Sequence, residues 1–167
     1  MAEDPLHAIN TLVWLRRLEP QADAALCLAA YTHDIDRADE RTKVRREQFA
    51  DYDSFKAAHA EHSAAIVRAV LAAERLPGAF ISDCCELIRR HEVGGCRRSD
   101  LLRDADSISY FDVNLPLYYQ REGWDESLRR CRWGWRRLSP AAQQQVLTIR
   151  HADPRLNELI ALAARTA

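Results

Sequence analysis

No apolar run in this chain approaches the roughly 20 residues that a membrane-spanning helix needs, which sets aside an integral membrane helix. The opening Met1-Ala-Glu-Asp-Pro5 lacks the positive start and apolar core of a signal peptide, so a cytoplasmic protein is expected. Strand signals are scarce too: apolar and polar residues seldom alternate, and Val, Ile and Thr are not enriched. Net charge is nearly absent, with 24 Lys and Arg against 25 Asp and Glu. Nothing therefore draws the chain as a whole to nucleic acid or an anionic membrane. Five cysteines, Cys27, Cys84, Cys85, Cys96 and Cys131, show neither zinc-knuckle spacing nor the even count of a secreted framework. Cys27, Cys84 and Cys85 sit among apolar residues as small core side chains, and Cys96 lies in a loop. No internal repeat or low-complexity segment appears.

The 167 residues that remain suffice for one domain with a substantial core. The dominant period is helical, and the fold class expected is all-α, a single-domain bundle of about seven or eight helices. Helices are expected over 5–17, from 22 to the pair His33-Asp34, over 54–75 and over 83–92. The first is stopped by Glu19-Pro20, the third by Pro77-Gly78 and the fourth by Gly94-Gly95. A charged irregular stretch, 36–51, follows the pair and could overhang a site. Ser99 or Asp100 is expected to cap a fifth helix reaching 111. Later helices are expected over 125–137, 140–151 and 154–164, with Ser139 and Asp153 as N-caps and prolines at first helical positions.

The most informative feature is the pair His33-Asp34, which closes the uncharged run Ala-Ala-Leu-Cys-Leu-Ala-Ala-Tyr at 24–31. Such a run reads as a buried helix, and an unpaired charge at its end costs on the order of several kcal/mol unless compensated. A divalent metal is the natural compensation, and other candidate ligands lie along the chain: His7, His59 beside His62, His91 and Asp106. On the third helix Phe55, His59, His62, Ile66 and Val70 share one apolar stripe, and Cys84, Ile88 and His91 do so on the fourth. One such histidine is ordinarily a core residue with a satisfied hydrogen bond. Three on two helices, with His33-Asp34 on another, are hard to explain as independent packing choices. Asp104 and Asp106 lie about 200° apart on a helix of 3.6 residues per turn, so both cannot face one site.

The order of these residues resembles the HD-domain superfamily, metal-dependent phosphohydrolases named for an adjacent His-Asp pair. The resemblance covers roughly residues 6–108. It places His7 as the single earlier histidine and Asp106, within Ala105-Asp106-Ser107-Ile108, as the closing carboxylate, which selects Asp106 over Asp104. A subset of that family carries two further histidines that hold a second metal, and His59 and His91 match them. His59 is preferred to His62 because Ser63-Ala64-Ala65-Ile66 reads like the small-residue segment after the family ligand, leaving His62 as a backup or supporting group. The resemblance thus implies His7, His33, Asp34 and Asp106 on one ion, with His59 and His91 on a second and Asp34 as the bridge. Many members have Gly-Lys after the pair, whereas this chain reads Ile35-Asp36-Arg37-Ala38. The resemblance implies a metal-site core of about 5–112 and leaves 113–167, including Trp133-Gly134-Trp135, as a helical extension without a family motif.

Imidazole and carboxylate together suit Mn, Fe, Co, Ni or Zn, so the cofactor expected is one or two divalent ions. Such ions lower the pKa of bound water and can hold a phosphoryl oxygen. Phosphoryl transfer also needs cations, and Arg37, Arg41, Lys43, Arg45 and Arg46 follow the pair closely. Arg37 is the best single candidate to act with Asp34. For Lys43 to Arg46, a solvated loop paired with neighbouring acids is the plainer account. Asn114, Tyr118 and Tyr119, in the loop expected after Asp106, could reach a substrate, with a structural role as the equal alternative. Arg129, Arg130, Arg132, Arg136 and Arg137 interleave with Trp133 and Trp135, a mix that can bind nucleic acid but more often packs as an amphipathic helix with arginine stems over the rings.

The function expected is a metal-dependent phosphohydrolase acting on a nucleotide or other small phosphorylated metabolite. Two alternatives stand beside it: an HD-type diiron oxygenase, and a non-catalytic nucleotide-binding sensor module. No nucleic-acid or membrane partner is expected, and homo-oligomerisation through the C-terminal helices is open.

Overall fold

In the computed structural model, which describes residues 4–165, every regular element is helical and no strand occurs among the described residues. The helices are α1 (Asp4–Leu18), α2 (Ala24–Thr32), α3 (Tyr52–Ala73), α4 (Gly78–Arg90), α5 (Arg97–Ser109), α6 (Leu115–Arg137), α7 (Pro140–Val146) and α8 (Pro154–Arg165). The protein is an all-α bundle, and no helix of the described residues is long and apolar enough to cross a membrane.

Helix starts follow from side chains that satisfy otherwise orphaned amides. Asp23 accepts from the Leu26 amide at 2.9 Å to open α2, and Asp51 accepts from Ser54 at 2.7 Å to open α3. Ser139 accepts from Ala142 to open α7, as the sequence suggests. At α5 the expectation needs correction: Cys96 is the N-cap, and Ser99 instead supplies the hydroxyl that accepts from the Cys96 amide at 3.1 Å. Asp100 turns back to accept from the Gly95 amide at 3.1 Å. The preceding Gly94 has φ of +72°, and a Cβ there would stand 2.1 Å from the Asp100 carboxylate, so only glycine fits this stop.

Other boundaries also differ from expectation: the fourth helix, expected from 83, begins at Gly78 directly after Pro77, because the Pro-Gly pair that ends one helix also opens the next. The helix expected to reach 111 ends at Ser109 and passes through one wide turn, Tyr110–Asn114, directly into α6. That helix begins ten residues before the expected 125 because Pro116 falls in its first turn, where a missing N–H costs nothing. Gly123, with φ 77° and ψ −171°, breaks the helix where the sequence suggests a start. Helix α7 stops at Val146, short of the expected 151. The following segment is held by tertiary bonds instead: His151 Nε2 donates to the Phe111 carbonyl at 2.9 Å, and Asn157 Oδ1 accepts from the His151 amide. The charged stretch expected after the pair holds only two short 3-10 turns, Ile35–Ala38 and Arg46–Gln48.

Helix α1 packs on α5 and α2, α2 on α4, and α4 on α3, so five helices surround a core of fully buried side chains such as Leu15, Leu26, Ile88, Leu102 and Ile108. Burying each contributes roughly 1.5–3 kcal/mol. Helices α6 and α8 pack together beyond the wide turn, around Phe111, Leu115 and Leu159. Cys84, Cys85 and Cys131 are buried small core residues, Cys27 is half-buried, and Cys96 is exposed at its helix start.

Candidate metal centre

Two of the site histidines stand at helix C-termini, where the last carbonyls lack helical partners. His33 caps α2 and its Nδ1 donates to the Ala30 carbonyl at 2.9 Å; His91 caps α4 and its Nδ1 donates to Ile88 at 2.7 Å. The other two are fixed from outside in the same way. His7, on α1, bonds through Nδ1 to Ser109 Oγ at 2.9 Å, while that hydroxyl donates to the His7 carbonyl. His59, on α3, bonds through Nδ1 to Asp36 Oδ2 at 2.7 Å. All four rings therefore turn Nε2 to the same centre, the arrangement in which an outer acceptor fixes the tautomer and leaves the inner nitrogen to a metal.

The carboxylates complete two sets. His7, His33 and Asp106 offer ligand atoms within 4.8 Å of one another, and Asp34, His59 and His91 do likewise. Asp34 lies between the sets: Oδ2 is 3.9 Å from His7 Nε2 and 3.8 Å from His33 Nε2, while Oδ1 is 2.7 Å from His59 Nε2 and 3.9 Å from His91 Nε2. Asp106 Oδ1 is 3.1 Å from His7 Nε2 and 3.6 Å from His33 Nε2. All six residues of the expected set thus meet in one place. Asp104, on the opposite face of α5, instead accepts from the Ser139 amide at 3.0 Å and from its hydroxyl, tying α5 to the start of α7.

The charge balance of the cluster follows from burial set against its own ion partners. Burial would lower the His33 pKa, but Asp34 and Asp106 overcome it and hold it up to about 9. His59 is raised in the same way by Asp34 against its own burial. Burial alone would raise Asp34 and Asp106; Arg37 and His33 hold the first well below the carboxylate range, and His33 and His7 hold the second there. His91, dominated by burial, is lowered and stays neutral. The His33 Nε2 atom is wholly buried with no hydrogen-bond partner. A buried imidazole nitrogen aimed at two carboxylates, with a neutral imidazole beside it, suits a divalent cation better than it suits protons.

Around the cluster opens a cavity of about 640 Å³, a size suited to a small-molecule ligand. Arg37 enters it from the first 3-10 turn, with Nη1 3.0 Å from Asp34 Oδ2. Lys43, Arg45, Arg46, Asn114 and Tyr118 line it as well. Arg41 does not: it is exposed and pairs with Asp39 at 3.1 Å. His62 stays outside and bonds Asp36 through Nδ1. Tyr119 stacks edge-on with Trp124 and accepts from Arg155 at 3.3 Å, away from the cavity lining.

Several contributors escaped sequence reasoning. Asp36, 1% exposed, serves both His59 and His62, and its position two residues after the pair carries no periodic signal. Glu92, next to His91, pairs with Arg137 at 3.0 Å and lies 3.9 Å from Lys56. Arg137 in turn lies 3.8 Å from Asp106. For the cations around Glu92 the available signal is helical spacing: Lys56 precedes His59 by three, and Arg130, Trp133 and Arg137 share a face at steps of three and four. Trp133 carries Arg130, Arg137 and Lys56 over its ring at 4.1, 4.5 and 5.2 Å. Trp135 is buried in the core.

A family model described as "Domain of unknown function (DUF4202)" matches residues 1–160. The chain belongs to this family. No curated protein and no solved structure matches it. The DUF4202 match spans both the ligand set and the arginine-bearing helix α6, so the two parts of the cavity fall within one family unit.

Proposed function

We propose that the protein is a metal-dependent phosphohydrolase of the HD-domain kind, acting on a nucleotide or another small phosphorylated metabolite. The observation that carries this reading is Asp34, whose two oxygens face separate His-containing sets. Its ligands would be His7, His33, Asp34 and Asp106 on one ion and His59 and His91 on a second, with Asp34 shared. When bound, the ions supply Lewis acidity toward a phosphoryl oxygen and lower the pKa of attacking water. The protein's own part is charge and position: Arg37 stands beside Asp34 and lines the cavity, suited to hold an equatorial phosphoryl oxygen. The outer acceptors Ala30, Ile88, Ser109 and Asp36 keep the four imidazoles in one orientation through turnover.

The same four imidazoles and two carboxylates also suit two irons that activate dioxygen, and one experiment separates the readings. Elemental analysis of the purified protein beside a His33→Ala, Asp34→Ala double variant is followed by phosphate-release assays with the metal found. About two equivalents of Mn, Co or Ni, lost in the variant and accompanied by phosphate release, support the hydrolase. Two irons with dioxygen uptake and no phosphate release would favour the oxygenase, and no metal in either protein after reconstitution would end both. Intact ligand positions count against a non-catalytic sensor.

A further inference from the structure

The same cavity gathers positive charge away from the metal cluster. Eight of the chain's 24 Lys and Arg side chains line it, against five of its 25 Asp and Glu. Two of those five, Asp34 and Asp106, are turned to the cluster. The cations come from opposite halves of the chain: Arg45 and Arg46 on the loop after the pair, Arg129 and Arg130 on α6 beyond its Gly123 break.

Arg129 is held by Glu126, to whose carboxylate its Nε donates at 2.7 Å and its Nη2 also donates, which leaves Nη1 toward an anion; the other three have no such partner among the described residues. Arg45 and Arg46 donate to the backbone carbonyls of Glu40 and Phe49, and Arg130 lies between the rings of Trp133 and Tyr110 at 4.1 and 4.8 Å. None of these three is in an ion pair among the described residues. A guanidinium stacked on an aromatic ring keeps its in-plane N–H groups for an acceptor and is held in one orientation. Eight cations against five carboxylates leave the cavity lining with an excess of positive charge, which a bound polyanion offsets. A single phosphate at the metal cluster would reach Arg37 and leave this wall unused.

We propose that the cavity takes a polyphosphorylated substrate, with one phosphate at the metal cluster and the further ones on the wall formed by Arg45, Arg46, Arg129 and Arg130. The proposal rests on the reading of the cluster as a phosphoester site and extends it to substrate class. It also assigns a task to the C-terminal extension: α6 recognises the part of the substrate that is not cleaved.

The test is calorimetric titration of the full chain, stripped of metal so that the probes do not compete for it. Inorganic tripolyphosphate is expected to bind at least about tenfold tighter than orthophosphate, the size of one or more charge-assisted hydrogen bonds. An Arg46→Gln, Arg129→Gln double variant, with both side chains on the surface and the fold checked by circular dichroism, is expected to lose that advantage. The His33→Ala, Asp34→Ala variant is expected to keep it. Adenosine triphosphate in parallel identifies the source of the phosphates: tighter binding than the inorganic chain marks an organic polyphosphate and equal binding an inorganic one, either supporting the assignment. Equal affinity for tripolyphosphate and orthophosphate, or an unchanged double variant, overturns the proposal. So does a single-stranded oligonucleotide that outcompetes tripolyphosphate, which would make the wall a nucleic-acid surface. Phosphate release from monoesters alone, without the tripolyphosphate preference, overturns the proposal and leaves the hydrolase reading standing. The preference without any phosphate release does the reverse.

Discussion

Asp36 accepts from His59 at 2.7 Å and from His62 while bonding the Val44 amide at 3.1 Å, so one buried carboxylate orients a candidate ligand, engages its neighbour and anchors the loop that follows. Removing it as Asp36→Ala is expected to weaken metal binding by about 10–100-fold, the usual cost of losing a group that orients a ligating histidine, as read by competitive metal titration. Asp104→Ala is the matched control. It removes the bonds to Ser139 and is expected to lower the melting temperature while leaving metal affinity unchanged. At this scale His59 and His91 were legible as candidate ligands because histidines on an apolar stripe break a pattern, whereas His62 breaks it equally and lies outside the set, so the stripe alone did not choose between them. Asp36 and Glu92 were not legible, because a carboxylate in a charged segment breaks no pattern and its partners arrive from other helices.

Helix α2 brings His33 and Asp34 to the cluster, and its start depends on Asp23. Burial alone would raise the Asp23 carboxyl, but the Leu26 amide and the Arg98 guanidinium overcome it and hold it below its ordinary 3.8. A carboxyl lowered in the folded state stabilises above its unfolded pKa, and that contribution is lost as pH falls through the folded value. Asp23→Ala is therefore expected to cost about 1 kcal/mol near neutral pH. In urea unfolding, its gap to wild type should shrink as pH falls below about 4; a gap constant with pH would assign the loss to packing. Helix existence and many ends were readable from caps and prolines. The joint between α5 and α6 was not, because Pro116 reads equally as a breaker or as a first-turn residue, and only the packing of Phe111 and Leu115 decides between them.

Across the whole molecule, the five-helix core and α6 meet at one cavity, and its charge pattern was hidden in a sequence whose total charge is close to zero. The loop and helix arginines each look like ordinary solvated clusters, and only the fold brings them to one cavity. Because the cluster joins residues from α1 to α5, a bound ion ties distant parts of the chain together. Saturating the stripped protein is expected to raise its melting temperature by roughly 5–10 °C at about a hundredfold excess over the dissociation constant. The His33→Ala, Asp34→Ala variant should show no such rise in the same scan, and an equal rise would place the ion elsewhere.

The contact between α1 and α5 also has a kinetic side. His7 and Ser109 are 102 positions apart, and the helices that carry them must find each other across a loop of that length. Single helices coil within about a microsecond, but the closure entropy of a long loop must be met before its contacts give anything back. Folding is therefore expected to be slower than in bundles built from sequential neighbours. The candidate ligand set closes only with that encounter, so an ion bound there would report a chain that has completed this long-range search.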